Sequence, residues 1–359
     1  MDGALLAKLL WQKISLTACA GLILCTLTAA QGLGRYGGAH LREPVGATAF
    51  ALGGANTASP DYLCSWWNPA ALATLRRKVL TLGLGYRPLG RSEGYLSFEF
   101  PIPPRVGMGL SVLYRGILKI DELVDEQEYP LNDCSYSTYS FKIGLSYLIK
   151  RNIQIGANIS ILHQSLPTDF TDEGNIKYSS ITEIGGIDIA GRYELNKKLA
   201  YGLVLKNILA SFDWEFKDQY GGLSAIMNDT LPATLTLGQE YTGSLLEKPF
   251  IWTCDLAGYL FNGNFKPIAH KHLVINNGFE WQRWELLFIR AGIRDIILNR
   301  DLFAHSDRFK DHFSLAVSLG FLVDLSKALK GKDIKLNYAV SNDKVWAGLD
   351  QQLDFVLKF

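Results

Sequence analysis

After its first thirty residues the chain has no stretch approaching the ~18 uninterrupted apolar residues of a membrane-crossing helix, so helical spans are excluded from Gln31 onward. Net charge is almost absent. Lys+Arg 36 against Asp+Glu 35 leaves +1, too balanced to neutralise a row of phosphates, which argues against nucleic acid as a partner. Charged residues make up 20%, below the roughly 25% of soluble proteins. Cysteine is scarce: of five, Cys19 and Cys25 fall within the first thirty residues, and Cys64, Cys134 and Cys254 remain. Three is odd, which rules out a fully paired disulfide framework, while a single Cys64–Cys134 bridge stays open in an oxidising compartment. No CxxC or His-rich spacing suggests zinc or haem. His270, His272, His305 and His312 are not accompanied by GxSxG, HExxH or a paired-carboxylate spacing. They read as loop-end residues meeting water, and the chain as a non-enzyme without metal or cofactor.

What is present points elsewhere. A 48% hydrophobic content can bury ample surface and excludes disorder, and Gly 34 with Tyr 16 against Met 3 favours strands over helices. At the start, Lys8 and Lys13 precede an uncharged run from Ile14 to Ala30, and Thr28-Ala29-Ala30 places small residues before Gln31. Residues 1–30 therefore read as a secretory signal peptide. An N-terminal membrane anchor is the alternative, but 17 uncharged residues, many small or polar, fall short of a spanning helix. Leu16-Thr17-Ala18-Cys19 resembles a lipoprotein box, yet it stands close behind Lys13 and the apolar run continues past it.

From Lys78 the chain repeats one theme, about ten alternating residues and then a turn. Leu80, Leu82, Leu84 and Tyr86 share one face, and Thr81, Gly83 and Gly85 the other. Leu96, Phe98 and Phe100 oppose Tyr95, Ser97 and Glu99; Val106 to Tyr114 oppose Gly107, Gly109 and Ser111. The pattern recurs through Phe141 to Tyr147 and Ile153 to Ile161, and further strands are expected near 183–194, 199–208, 233–242, 250–260, 272–281, 285–295, 311–322, 333–340 and 351–359. The total, about fourteen, is even, as in most bacterial outer-membrane barrels. Connectors alternate in length: Lys150-Arg151-Asn152 and Asn196-Lys197-Lys198 are tight turns, while Lys119 to Tyr136, Ser165 to Ser180 and Ser211 to Leu231 read as long outer loops.

A soluble sandwich also alternates, but its polar face meets water with abundant Lys and Glu. Here that face is Gly, Ser and Thr with isolated charges of both signs: Lys142, Asp188, Arg192, Lys206, Glu240, Asp255, Glu280, Arg290, Arg294, Lys335 and Asp354. Such a face suits an enclosed lumen where the charges pair. Tyr86, Tyr114, Tyr147, Tyr193, Tyr241, Trp252, Trp281 and Trp284 stand near strand ends, as interfacial girdles require. The expected fold is an all-β transmembrane antiparallel barrel over 78–359, in the outer membrane of a double-membraned bacterium. Its last strand carries Leu353, Phe355, Leu357 and Phe359 on one face and stops on that phenylalanine, a form that resembles the signal read by outer-membrane assembly machinery.

Residues 31–77 are not strand-like. Gly46 to Ala55, including Gly53 and Gly54, is a run of small residues that lets backbone pack close against a neighbour. Asn68 can cap a helix whose first turn holds Pro69 and Ala70, with Arg76 and Arg77 at the far end.

The wording from Gly46 to Leu72, "GATAFALGGANTASPDYLCSWWNPAAL", is similar to the N-terminal signature of the PorV/PorQ family, a branch of the FadL-like outer-membrane barrels. "LPATLTLGQEY" at 231–241, "GFEWQRWELLFIRAGIRD" at 278–295 and the closing "LNYAV…LDFVLKF" resemble later family blocks. The sequence departs from the family pattern at Asp61, which stands without a second acid, and at Ala71, where glycine is common. The resemblance implies a barrel of about fourteen strands with residues 31–77 folded into the lumen as a hatch. It also implies one of two activities: passage of small hydrophobic molecules, or service as a non-transporting partner that binds cargo or processing proteins for a protein-secretion apparatus. The implied partners are outer-membrane lipid, the assembly machinery, and a hydrophobic small molecule or a secretion-system protein.

Overall fold

Alternation places one side chain in two on each face of a strand, and here it builds a ring. The computed structural model describes residues 38–58, 60–117, 136–170, 176–217, 223–262, 264–297, 316–326, 333–342 and 348–359. The strands are β1 (Val79–Arg87), β2 (Arg91–Ile102), β3 (Val106–Ile117), β4 (Tyr136–Lys150), β5 (Ile153–Phe170), β6 (Ile176–Asn196), β7 (Leu199–Ile208), β8 (Ser211–Lys217), β9 (Leu223–Thr230), β10 (Pro232–Leu245), β11 (Lys248–Asn262), β12 (Pro267–Gln282), β13 (Leu287–Ile297), β14 (Ala316–Asp324), β15 (Asp333–Asn342) and β16 (Leu349–Lys358). Strands β1 to β7 and β10 to β16 pair antiparallel with their neighbours, and β16 pairs with β1 from Val79↔Lys358 to Tyr86↔Gln351. Fourteen strands thus close a barrel with no free edge.

Register fixes what faces where. Across the closing pair, Leu80↔Leu357, Leu82↔Phe355 and Leu84↔Leu353 share one face, and Thr81↔Val356, Gly83↔Asp354 and Gly85↔Gln352 the other. The first set is outside: Leu82, Leu84, Leu353 and Phe355 are all exposed, whereas Asp354 is wholly buried. Leaving leucines in water costs about 1.5–3 kcal/mol each, and the exposed rows continue through Leu145, Ile159, Ile189, Leu203 and Leu319. An exterior of that kind needs an apolar medium around it. Among the described residues no helix is long and apolar enough to cross a membrane.

The two ends differ. One holds the start of β1, the last residue Phe359 and short turns such as Arg151-Asn152, Lys197-Lys198 and Leu246-Glu247; the other holds the long connections after β3, β7 and β13. The stretch Ser211 to Leu231, expected as loop, instead contains the β8–β9 hairpin, which leaves the ring and pairs with β6 at Ser179↔Phe216 and Ser180↔Glu215. The sheet therefore has sixteen strands, fourteen of them in the barrel. Phe212, Trp214 and Phe216 alternate with Asp213 and Glu215, a strand period hidden by acidic composition. Likewise β5 and β6 extend well into the expected Ser165–Ser180 loop. Strand β12 begins at Pro267, so His270 and His272 lie in a strand rather than at a loop end. The expected signal peptide 1–30, Cys134, His305, His312 and residues 311–315 of one expected strand lie outside the described residues.

Candidate functional site

Residues 38–58 and 60–75 lie within the ring: they touch inward-facing groups on strands all round it. Four short elements make up the segment, two helical turns (Ala47–Ala51 and Cys64–Trp67) and two 3-10 turns (Ala39–Arg42 and Pro69–Thr74). One helix opening at Asn68 was expected; the observed element is a 3-10 turn, with a separate helical turn ahead of it. The reason is Asn68 itself. Its extended backbone (φ −149°, ψ 98°) ends one turn, and its side chain opens the next by accepting from the Ala70 amide at 3.0 Å. Asn68 Nδ2 donates to Thr57 O at 2.8 Å, tying two parts of the segment together. Arg76 and Arg77 lie beyond the turn and are exposed, and Arg77 stands 3.9 Å from Asp333.

Helix starts leave amide N–H groups without intrahelical partners, and neither helical turn is capped by its own sequence. The barrel wall supplies the acceptors. Ala47 N donates to Asp354 Oδ2 of β16 at 2.7 Å, and Ser65 N to Glu99 Oε1 of β2 at 2.9 Å. Between them Asn56 N and Thr57 N donate to Asp255 Oδ2 of β11 at 3.1 and 3.0 Å. All three carboxylates are buried, where a charge-assisted bond is strong and an unmatched carboxylate costly. Tyr62 OH also donates to Asp354, at 2.5 Å; burial, and then the Asp354 charge, push that phenol well above its usual range.

Glycines let the segment lie against the wall. After Ala47–Ala51, Gly53 (φ +64°) and Gly54 (φ +82°) reverse the chain, with Gly53 N donating to Phe50 O and Gly54 N to Ala49 O, as in a left-handed helix end. Facing them, a Cβ on Gly292 of β13 would stand 2.1 Å from Gly53 N, and one on Gly156 of β5 2.5 Å from Ala70 N. Any larger residue would push the segment off the wall.

Each end of the segment is fastened by charge. At the long-loop end Arg115 donates to the His40 carbonyl and, at 2.9 Å, to Pro44 O while paired with Glu93 at 2.6 Å; Arg294 holds Glu43 at 2.7 Å. Burial first, and then Arg115 and Arg42, lower the His40 imidazole to about 3. At the short-turn end Asp61 meets Lys335 at 2.9 Å and Lys358 at 2.6 Å. Burial opposes its charge, but the two lysines prevail and hold its carboxyl below the ordinary range. Cys64 is a free buried thiol, raised by burial and by Glu99.

Between the segment and the wall remains a cavity of about 90 Å³. Leu41, Trp66, Trp67, Leu162, Leu231 and Tyr259 supply apolar lining, and Lys142, Lys206, Asp255 and Arg294 polar lining. The lysines are already engaged: Lys142 pairs with Asp188 at 2.7 Å and lies 4.8 Å from the Trp66 ring, while Lys206 donates to Trp66 O at 3.0 Å and lies 5.3 Å from the Trp67 ring. The volume is short of the ~150 Å³ that admits benzene to an engineered cavity, so a ring-sized guest requires the segment to yield.

Of the expected lumen charges, Lys142 pairs with Asp188 and Arg290 with Glu280 (2.5 Å), while Arg192, Lys206, Asp255, Arg294, Lys335 and Asp354 bind the segment. Glu240 is half-buried on β10. Glu43, Arg87, Glu93, Glu99 and Arg115 were not singled out as lumen charges. Extending the same alternation along β1, β2 and β3 identifies the last four. Leu353 and Phe355 face outward, and Leu357 shares their face. Phe359 exchanges backbone hydrogen bonds with Lys78 at 3.0 Å, and its ring stacks 6.5 Å from Phe98.

No family model matches the sequence, and no curated protein matches it. Solved structures do. The Pseudomonas putida toluene transporter TodX matches with a TM-score of 0.56 at 14% identity, over 88% of this chain and 97% of that one. The CymD monoaromatic hydrocarbon channel matches with 0.54 at 14%, over 88% and 96%. A Pseudomonas aeruginosa FadL homologue matches with 0.51 at 12%, over 87% and 97%. At such identities the likeness is one of fold, that of a closed barrel, here of fourteen strands.

Proposed function

We propose that the protein spans the outer membrane and passes small hydrophobic molecules, with residues 38–77 acting as a hatch. The observation that carries this reading is a closed barrel with an apolar exterior, whose lumen holds its own N-terminal segment and, beside it, a cavity walled by Trp66 and Trp67. A filled lumen stops free aqueous diffusion, while indole and leucine surfaces can take up an apolar guest. Likeness to barrels described as a toluene transporter and a monoaromatic hydrocarbon channel supports that class of cargo. Passage then requires displacement of the segment, which is held to the wall by polar contacts such as Ala47–Asp354 and Glu43–Arg294 and by apolar packing such as Phe50 against Ala339.

The test is uptake of radiolabelled toluene and of oleate by cells lacking their own hydrocarbon channels. Expression should raise uptake of one or both above an empty-vector control. A correctly inserted barrel that raises neither would overturn the reading.

A second reading has one observation in its favour. The lumen is dense with paired charges, which suits a scaffold better than a conduit. The PorV/PorQ resemblance, carried by the sequence blocks alone, gives that scaffold a role as partner in protein secretion. Stoichiometric recovery of a second protein in mild detergent, with no uptake, would favour it.

A further inference from the structure

The short-turn end of the barrel carries exposed bases well in excess of acids. Lys150, Arg151, Lys197, Lys198, Lys248 and Arg283 are exposed at the β4–β5, β6–β7, β10–β11 and β12–β13 turns, and only Glu247 and Glu285 are exposed acids in those turns. A further exposed basic run, Arg76 to Lys78, enters the seam between β1 and β16. The bases therefore surround the barrel rather than forming one patch. Close to these turns stand the exposed rings of Tyr147 and Tyr193, on β4 and β6, and of Trp284, within the β12–β13 turn. Arg283 lies 5.3 Å from the ring centroids of both Trp281 and Trp284. A base stacked on indole at the rim of an apolar belt lies at the depth where acyl chains give way to headgroups. The other end has the opposite sign in sequence: residues 118–135 contain Asp121, Glu122, Asp125, Glu126, Glu128 and Asp133 against Lys119.

We propose that this basic rim binds anionic phospholipid headgroups, so that the barrel enriches net-negative lipid in the leaflet at its short-turn end. The inference rests on the reading that the barrel spans a membrane, in which short turns face the periplasm. A protein partner would meet one arc of the rim, whereas a leaflet meets its whole perimeter, and the exposed rings of Tyr147, Tyr193 and Trp284 stand close to the bases. Each base near a charged leaflet adds attraction that salt screens within about 10 Å.

The experiment uses the full chain in nanodiscs of mixed phosphatidylcholine and phosphatidylglycerol, with the lipids retained on release counted by native mass spectrometry. Wild type should retain phosphatidylglycerol about fivefold over its share of the disc, the effect of a single well-placed base, and the excess should fall with added salt. K150Q/R151Q/K197Q/K198Q should lose most of that excess, while K266Q, at the opposite end, should keep it. If the quadruple variant does not fold, K150Q/R151Q and K197Q/K198Q made separately should each lose part. Equal retention of the two lipids by wild type, or an excess unchanged in the variants, would overturn the proposal. So would an acidic protein that co-purifies through these bases without lipid excess. Failure to insert into discs of any composition would instead overturn the membrane-barrel reading.

Discussion

Asp354, on the last strand, caps the helical turn that begins at Ala47: its Oδ2 accepts the Ala47 amide at 2.7 Å where Gly46 has no side chain to do so. Leaving a buried amide of this kind without its acceptor costs about 1–3 kcal/mol. D354L should therefore raise hydrogen exchange of the Ala47 and Thr48 amides by roughly tenfold to a hundredfold, while exchange in β3 to β7 stays unchanged. D354N, which keeps an acceptor oxygen, should lie between. Unchanged exchange in D354L would show that the cap does not hold the segment.

Gly292 and Gly53 make a second kind of contact, one of proximity. G292V would place a side chain on the Gly53 backbone, and overpacking of this sort costs about 1–3 kcal/mol. The barrel should still form, because β13 keeps both neighbours, but the segment should lose its seat. Cells carrying the variant should become sensitive to large antibiotics excluded by the intact outer membrane, and heat-modified gel mobility should report a normal barrel. Wild-type resistance with a normal barrel would mean that the segment stays seated.

His40 makes the long-loop end of the segment sensitive to acid. Its pKa is near 3 when folded against 6.5 when free, and neither ring nitrogen has a hydrogen-bond partner among the described residues. The released state therefore takes up a proton that the seated state refuses. Seating is strongest above pH 6.5 and weakens as pH falls from 6.5 toward 3, by about 1.4 kcal/mol per unit. At pH 5 the loss is about 2 kcal/mol. Exchange of residues 38–44, corrected for intrinsic rate, should rise between pH 7 and pH 5, and H40L should remove most of that rise. Asp61 differs from an ordinary exposed acid in range: held down by Lys335 and Lys358, its pairing persists through this window and fails only below its lowered pKa.

Phe359 is expected to matter more in the cell than in the test tube. Deleting it removes one pair of backbone hydrogen bonds to Lys78 and a stacking partner of Phe98, a modest loss from a closed barrel. If it is also read by the assembly machinery, steady-state levels in the outer membrane should drop several-fold while refolding into detergent micelles is nearly unchanged. Equal losses in both settings would reduce its role to packing.

The ring was legible because each strand repeats a period of two over about ten residues, and the girdle rings Tyr147, Tyr193 and Trp284 announce their own strand ends. The β8–β9 hairpin was not, since Asp213 and Glu215 make a strand resemble a loop. Asn68 could be assigned as a cap because its partner is two residues away. Asp354, Asp255 and Glu99 could be placed on the lumen face but not matched to Ala47, Thr57 and Ser65, because those pairings depend on where each strand falls in the closed ring. Glu43 carried no local signal at all; its meaning lies in Arg294, on β13.

The closing seam between β1 and β16 also orders events in time. The segment that fills the lumen is synthesised before any strand, while the wall is complete only when the final ten residues find Val79 to Tyr86. Ala47 cannot meet Asp354 until almost the whole chain exists, a separation of 307 residues. Long-range contacts of this sort form late, so the entropy of ordering the segment and that of closing the ring are lost together. A chain interrupted before β16 would thus be left with neither a finished wall nor a settled interior.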